Sequence, residues 1–234
     1  MTHGLERGAT IHLPFTALRA VLRWTPTASG ARRPVPDLDL SALLLDASGR
    51  VRSEGDFVFY NQPRHPSGLV RRLPKRRDAE GLRDTVEADL ARLETSVTRV
   101  VLAASADGGF EAEASRPRLL LHGAAGGAGG ADGGAGAAAP LAVLPLTPRP
   151  GETAVVCGEV LRGARGWEFR ATGRGYRGGL VALAADFGIT ATGHPPPRDS
   201  RTAPLTYGYP QPDPAFTLPP QGPQFLPPDG AEAG

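Results

Sequence analysis

Asp37 and Asp39 stand two residues apart at the entrance of an apolar run. Residues spaced by two on a strand face the same side, so this pair offers its oxygens in one direction. A further acid, Asp56, precedes the aromatic run Phe57, Val58, Phe59, Tyr60, and Asn61 closes it. Hard oxygen donors that converge from neighbouring loops are what calcium coordination requires. Acids and Asn at strand ends are also ordinary turn formers that point into water, so spacing alone leaves both readings open.

The helix-loop-helix calcium motif does not fit. Asp37, Asp39 and Ser41 match its first three ligand positions, but Ala42 stands where the motif needs Gly and Ser48 where it needs a bidentate Glu. Other chemistry is missing from the sequence as well. It has no GxxxxGK[ST], HExxH, GxSxG or CxxC, and its five His residues are scattered singly. Cys157 lies in the apolar segment TAVVCGEV, where a thiol behaves as a small buried hydrophobe. These observations predict a protein that is not an enzyme.

Short strands must position these residues. Residues 9–13 and 18–24 read as strands; in the second, Leu18, Ala20, Leu22 and Trp24 share one face while Arg19 and Arg23 take the other. Residues 25–36 read as a proline-containing loop. Strands are predicted at about 38–46 and 56–61, at 69–73, 97–104, 118–122 and 141–146. A hairpin is predicted with arms 152–162 and 167–172, and a helix from Gly179 to Phe187. The strand at 69–73 has a basic continuation, RRLPKRRD from Arg71 to Asp78, with five basic residues in seven positions; this invites a phosphate-binding reading, but no aromatics interleave, and a solvated loop held open by Pro74 is favoured.

Gly173-Arg174-Gly175-Tyr176-Arg177-Gly178 matches GxGxxG between a strand and a helix. A dinucleotide fold needs a second parallel strand after that helix, and His194-Pro195-Pro196-Pro197 follows instead. The run therefore reads as a flexible strand-to-helix joint.

The chain has 234 residues, with 31 Gly and 24 Pro, unevenly spread. Residues 123–139 form a Gly/Ala-rich insertion with nothing to pack, predicted to be flexible. Residues 191–234 form a proline-rich tail, predicted to be disordered. In the tail, Phe216-Thr217-Leu218-Pro219-Pro220 and Phe225-Leu226-Pro227-Pro228 could engage a protein partner with an aromatic groove. The remaining core is long enough for one stable domain. A net charge of +2 is too small to argue for nucleic acid. No apolar run is long enough to span a bilayer, no signal pattern opens the chain, and one cysteine permits no internal disulfide. A cytoplasmic location is the expectation.

Three stretches together resemble one family. They are DLDLSALLLDASGRVRSEGDFVFYNQP, Ser105-Ala106-Asp107-Gly108, and GEVLRGARGWEFRATGRGYRGGLVALAADFG, and they are similar to the TerD family of tellurium-resistance and stress proteins. The likeness extends over residues 8–190. It implies a mainly β fold, a two-sheet antiparallel β-sandwich with a short C-terminal helix. It further implies Ca²⁺ held by acidic loops at one end, and a role in tellurite resistance and general stress response. On that resemblance Asp37, Asp39, Asp56, Asn61 and Asp84 fall on the metal-binding loops. One departure stands out: where the family carries a GDDE-like segment, this chain has Gly81-Leu82-Arg83-Asp84, and only Asp84 keeps a carboxylate. Calcium affinity follows ligand charge, so the site is expected to be weak or lost. Arg83 is the expected replacement for the ion, pairing with Asp37 or Asp39.

Overall fold

Alternation in the strand Ala17–Trp24 shows how the layers are built. Leu18, Ala20, Leu22 and Trp24 are buried in one core cluster, as their period of two predicts. The computed structural model describes residues 2–25, 37–110, 115–124 and 139–189, all within one compact unit, Met1–Thr192. Most of the 25–36 loop and of the 123–139 insertion, and the whole 191–234 tail, lie outside the described residues.

Twelve strands form two six-stranded sheets among the described residues. In chain order they are β1 (His3–Gly4), β2 (Thr10–His12), β3 (Ala17–Trp24), β4 (Leu38–Leu45), β5 (Phe57–Val58) and β6 (Val70–Asp78). β7 (Gly81–Asp89), β8 (Arg99–Ala106), β9 (Arg118–Gly123), β10 (Ala142–Pro145), β11 (Ala154–Gly163) and β12 (Gly166–Tyr176) complete the set. The first sheet has the order β1-β10-β9-β3-β7-β6 and the second β2-β12-β11-β8-β4-β5. Every pairing is antiparallel except β1 with β10. The expected mainly β, two-sheet architecture with a short C-terminal helix is the one observed, with helix α1 at Gly179–Asp186.

Leu38, Leu40, Ala42 and Leu44 of β4 point into the core shared with the first sheet. Leu43 and Leu45, on its other face, join a second cluster with Val101, Val156 and Leu183, Ala184 and Phe187 of the helix segment. The second sheet is thus covered on both faces, which explains why LSALLL carries no polar alternation. Each fully buried Leu contributes about 1.5–3 kcal/mol of transfer free energy. No helix among the described residues is long and apolar enough to cross a membrane.

Two predicted elements change. The strand expected at 56–61 shrinks to β5, because a 3₁₀ turn (Glu54–Asp56) precedes it and a tight turn follows, where the amides and carbonyls of Phe59 and Gln62 exchange hydrogen bonds of 3.1 Å each. The basic run expected to be a loop is instead strand, since β6 continues through Pro74 to Asp78. Pro74 is tolerated because β6 is an edge strand, and a bulge between Leu73 and Arg76 removes the ladder bond it could not make. The Gly81–Asp84 segment opens β7. Gly81 is required there: its φ is +123°, and a Cβ would lie 2.3 Å from the Trp24 carbonyl oxygen.

Candidate functional site

β4 is paired with β5 only at Ala42 and Leu43, so the edge of its first half is open towards the other sheet. Asp84, in the middle of β7, closes that opening. Its Oδ2 accepts the Leu40 amide at 2.8 Å and its Oδ1 accepts the Thr85 amide at 2.9 Å. The side chain is fully buried. Arg72, one strand further on β6, donates through Nη2 to the same Asp84 Oδ2 and to Asp39 Oδ1 at 2.8 Å. Lys75 Nζ lies 2.6 Å from Asp37 Oδ1 and 3.0 Å from Asp39 Oδ1.

Three of the five sequence-nominated residues, Asp37, Asp39 and Asp84, therefore meet at one corner between the sheets. Two cations of β6 sit among them. Burial pushes the Asp84 carboxyl above its ordinary range, and the Asp39 carboxylate adds to that rise; Arg72 and the Leu40 amide oppose it. Arg83, the expected partner of Asp37 or Asp39, instead lies 3.8 Å from Asp78. Its neighbour Asp84 turns inward, and alternation along β7 sends Arg83 to the opposite face. Arg72 and Lys75 take the role foreseen for it.

The other two residues lie elsewhere. Asp56 precedes Phe57, which pairs with Leu43, four residues along β4 from Asp39 and so roughly 13 Å away along the strand. Its carboxylate is buried and fully engaged. Oδ2 accepts the Arg52 amide at 2.8 Å and Arg52 Nε at 3.0 Å, and Oδ1 accepts Arg52 Nη2 at 2.8 Å. His65 Nε2 lies 2.9 Å from Oδ1, while His65 Nδ1 accepts the Ser67 amide at 3.1 Å, so the proton on Nε2 is the one donated to Asp56. Burial by itself would raise the Asp56 carboxyl, yet the hydrogen bonds from Arg52 and His65 hold it at about 2. Arg52 also reaches Glu94 Oε2 and Ser96 Oγ, each at 2.6 Å. Asp56 is a knot tying three loops together. Asn61 is exposed at the tip of the Phe59–Gln62 turn. The neighbour doing structural work there is Gln62, whose Nε2 donates to the carbonyls of Glu54, Gly55 and Phe57 at 3.1, 3.2 and 2.8 Å.

Calcium needs six to eight oxygens around one point. The carboxylates at the β4–β6–β7 corner direct theirs at Arg72 and Lys75, and among the described residues no group of three or more Asp, Glu, His or Cys side chains is spaced to hold a metal ion. As arranged, the corner does not form a calcium cage. Sequence reasoning missed Arg72 and Lys75 because a run of basic residues around a proline reads as solvated. The period of two across Val70 and Arg72 was the signal that could have placed Arg72 on the inner side.

Comparison with known proteins gives a consistent result. The TerD domain profile matches residues 1–117 and 138–187. The chain is 33% identical over 159 residues to Tellurium resistance protein TerD of an Alcaligenes species, covering 67% of this chain and 80% of that one. It is 30% identical over 156 residues to General stress protein 16U of Bacillus subtilis, covering 65% and 78%. In fold it is similar to a solved homologue of telluride resistance protein TerD from Streptomyces coelicolor, with a TM-score of 0.50, 22% identity, and 73% and 95% of the two chains covered.

Proposed function

Since this chain belongs to the TerD family of tellurium-resistance and stress proteins, we propose that it is a non-catalytic, cytoplasmic binding module whose acidic corner is neutralised by its own side chains, leaving weak calcium binding at most. One observation carries the reading: Arg72 Nη2 and Lys75 Nζ stand at hydrogen-bond distance from Asp39 Oδ1, with Asp84 and Asp37 completing the pairs. An ion entering there must displace both cations and leave Arg72, which is nearly buried, without a partner. Of the residues the family resemblance nominates, Asp37, Asp39 and Asp84 are those that could contribute oxygens to an ion if the cations withdrew. Asp56 is committed to Arg52 and His65.

Calorimetric titration of chelator-treated protein with calcium tests this. The expected dissociation constant is weaker than about 10⁻⁴ M, the range of low-affinity sites. Binding should tighten in an Arg72→Gln/Lys75→Gln variant that still melts cooperatively. Submicromolar binding at two sites in the unaltered protein would overturn the proposal.

A second reading gives residues 191–234 a partner-recruiting role, supported by the paired FTLPP and FLPP segments. Removing residues 193–234 separates the two. Loss of captured partners with an unchanged calcium titration favours recruitment through the tail.

A further inference from the structure

Three arginines, Arg7, Arg149 and Arg174, come from separate parts of the chain to line an open cavity of about 300 Å³. Thr172, Gly173 and Gly175 near the end of β12 and Glu152 before β11 complete the wall. The glycines are there for space. Gly173 has φ +80°, and a Cβ on it would lie 2.8 Å from Arg7 Nε and Nη2. A Cβ on Gly175 would fall 1.9 Å from the Glu152 carboxyl carbon. The glycine spacing that resembles a dinucleotide fingerprint thus lets charged groups lie flat on the backbone. No parallel βαβ unit is present, because β12 is antiparallel to both β11 and β2.

The charges are unbalanced. Arg174 is paired with Asp186 Oδ2 at 3.5 Å and lies over the Tyr176 and Phe187 rings at 5.1 and 5.3 Å. Glu152 is turned towards its own loop, where Oε2 accepts the Arg149 amide at 2.8 Å. Arg7 Nη2 donates to the Gly173 carbonyl at 2.5 Å, which fixes the guanidinium and leaves its other donors free. Among the described residues no carboxylate lies within ion-pair distance of the Arg7 or Arg149 side chain. With Arg174 paired to Asp186, Arg7 and Arg149 against Glu152 leave an excess of one positive charge around the cavity. Guanidinium groups favour anions that can accept paired, planar hydrogen bonds. The volume lies at the lower limit for a small-molecule pocket.

We propose that this cavity is a binding site for a small oxyanion, either free and the size of phosphate or carried as the phosphate of a small monoester. The missing Cβ atoms at Gly173 and Gly175 make room for the Arg7 guanidinium and the Glu152 carboxylate at the cavity wall. Arg7 and Arg149 line the cavity and supply the donors.

The test is calorimetric titration of the full chain with sodium phosphate at low ionic strength, with sodium chloride at matched ionic strength as the blank. Saturable binding is expected. Arg149→Gln and Arg7→Gln should each weaken it by about tenfold or more, as expected for losing one charge-assisted hydrogen-bonding group. Glu152→Gln should tighten it, because a repelling carboxylate is removed while the acceptor for the Arg149 amide stays. Thermal melts of the variants check folding, and Arg149, exposed on a turn, is the position least able to disturb it. Glycerol 2-phosphate provides the second arm: tighter binding than phosphate identifies a monoester as the ligand form, and weaker binding identifies the free anion. No saturable binding of either compound, or an Arg149→Gln variant that binds phosphate like the unaltered chain, would overturn the assignment.

Discussion

Replacing Asp56 with Asn should flatten the acid side of the stability profile. In the folded chain this carboxyl is held at about 2, against an ordinary value of 3.8. The folded value is the lower one, so the ionised form is favoured by folding. That stabilisation is present above the unfolded value and is lost as pH falls through the folded one. A separation near two units at about 1.36 kcal/mol each is worth about 2.4 kcal/mol at neutral pH. Linkage removes about 2 kcal/mol of this between about pH 5 and about pH 2. Asn keeps the shape and one acceptor but offers no charge to Arg52. The assay is a series of urea denaturations of the unaltered protein and Asp56→Asn across that interval. The variant should be less stable at neutral pH by about 2 kcal/mol, with the gap closing as pH falls. Other depressed carboxylates, such as Glu87 between Arg19 and Arg71, titrate in both proteins and cancel in the difference. Two curves that run parallel, with a gap constant to about 0.5 kcal/mol, would refute the assignment of this acid sensitivity to Asp56.

Two further substitutions probe the frame. Gly158 sits at the β-bulge of β11, where a Cβ would lie 2.3 Å from Phe169 Cζ and 2.6 Å from the Arg170 carbonyl oxygen. Gly158→Ala should cost about 3 kcal/mol in chemical denaturation, at the upper end of overpacking, and a cost under about 1 kcal/mol would show that the bulge yields easily. Leu183 is fully buried between α1 and the second sheet. Leu183→Ala should cost about 2–5 kcal/mol and raise hydrogen exchange in the α1 amides more than in β8; equal acceleration in both would mean that the helix does not open on its own.

Reading residues alone went furthest where one period governed a strand. The alternation in β3 and the leucine-rich run of β4 placed both strands to within a residue or two. The predicted arms 152–162 and 167–172 became Ala154–Gly163 and Gly166–Tyr176. The reading failed where a strand's composition answered to its position at an edge. β6 carries a proline and five basic residues and still pairs with β7, because an edge strand can shed a hydrogen bond at a bulge and face water with charge. That failure carried over to the site. With β6 taken for a loop, Arg72 and Lys75 had no reason to point at Asp39, and Arg83, standing where the resemblance puts an acid, took their place. Asp56 and Asn61 were grouped with Asp37 and Asp39 because all stand near strand ends. Only the pairing of Phe57 with Leu43 shows that these ends lie apart along β4.

The cations at the β4–β6–β7 corner are attached to the polypeptide. A dissolved ion leaves its ligands at a finite rate and is depleted by dilution or by a competing chelator. An ammonium group on Lys75 or a guanidinium on Arg72 is present at a fixed stoichiometry of one per chain, whatever the medium contains. The seam between the two layers is therefore closed by groups that the chain itself supplies.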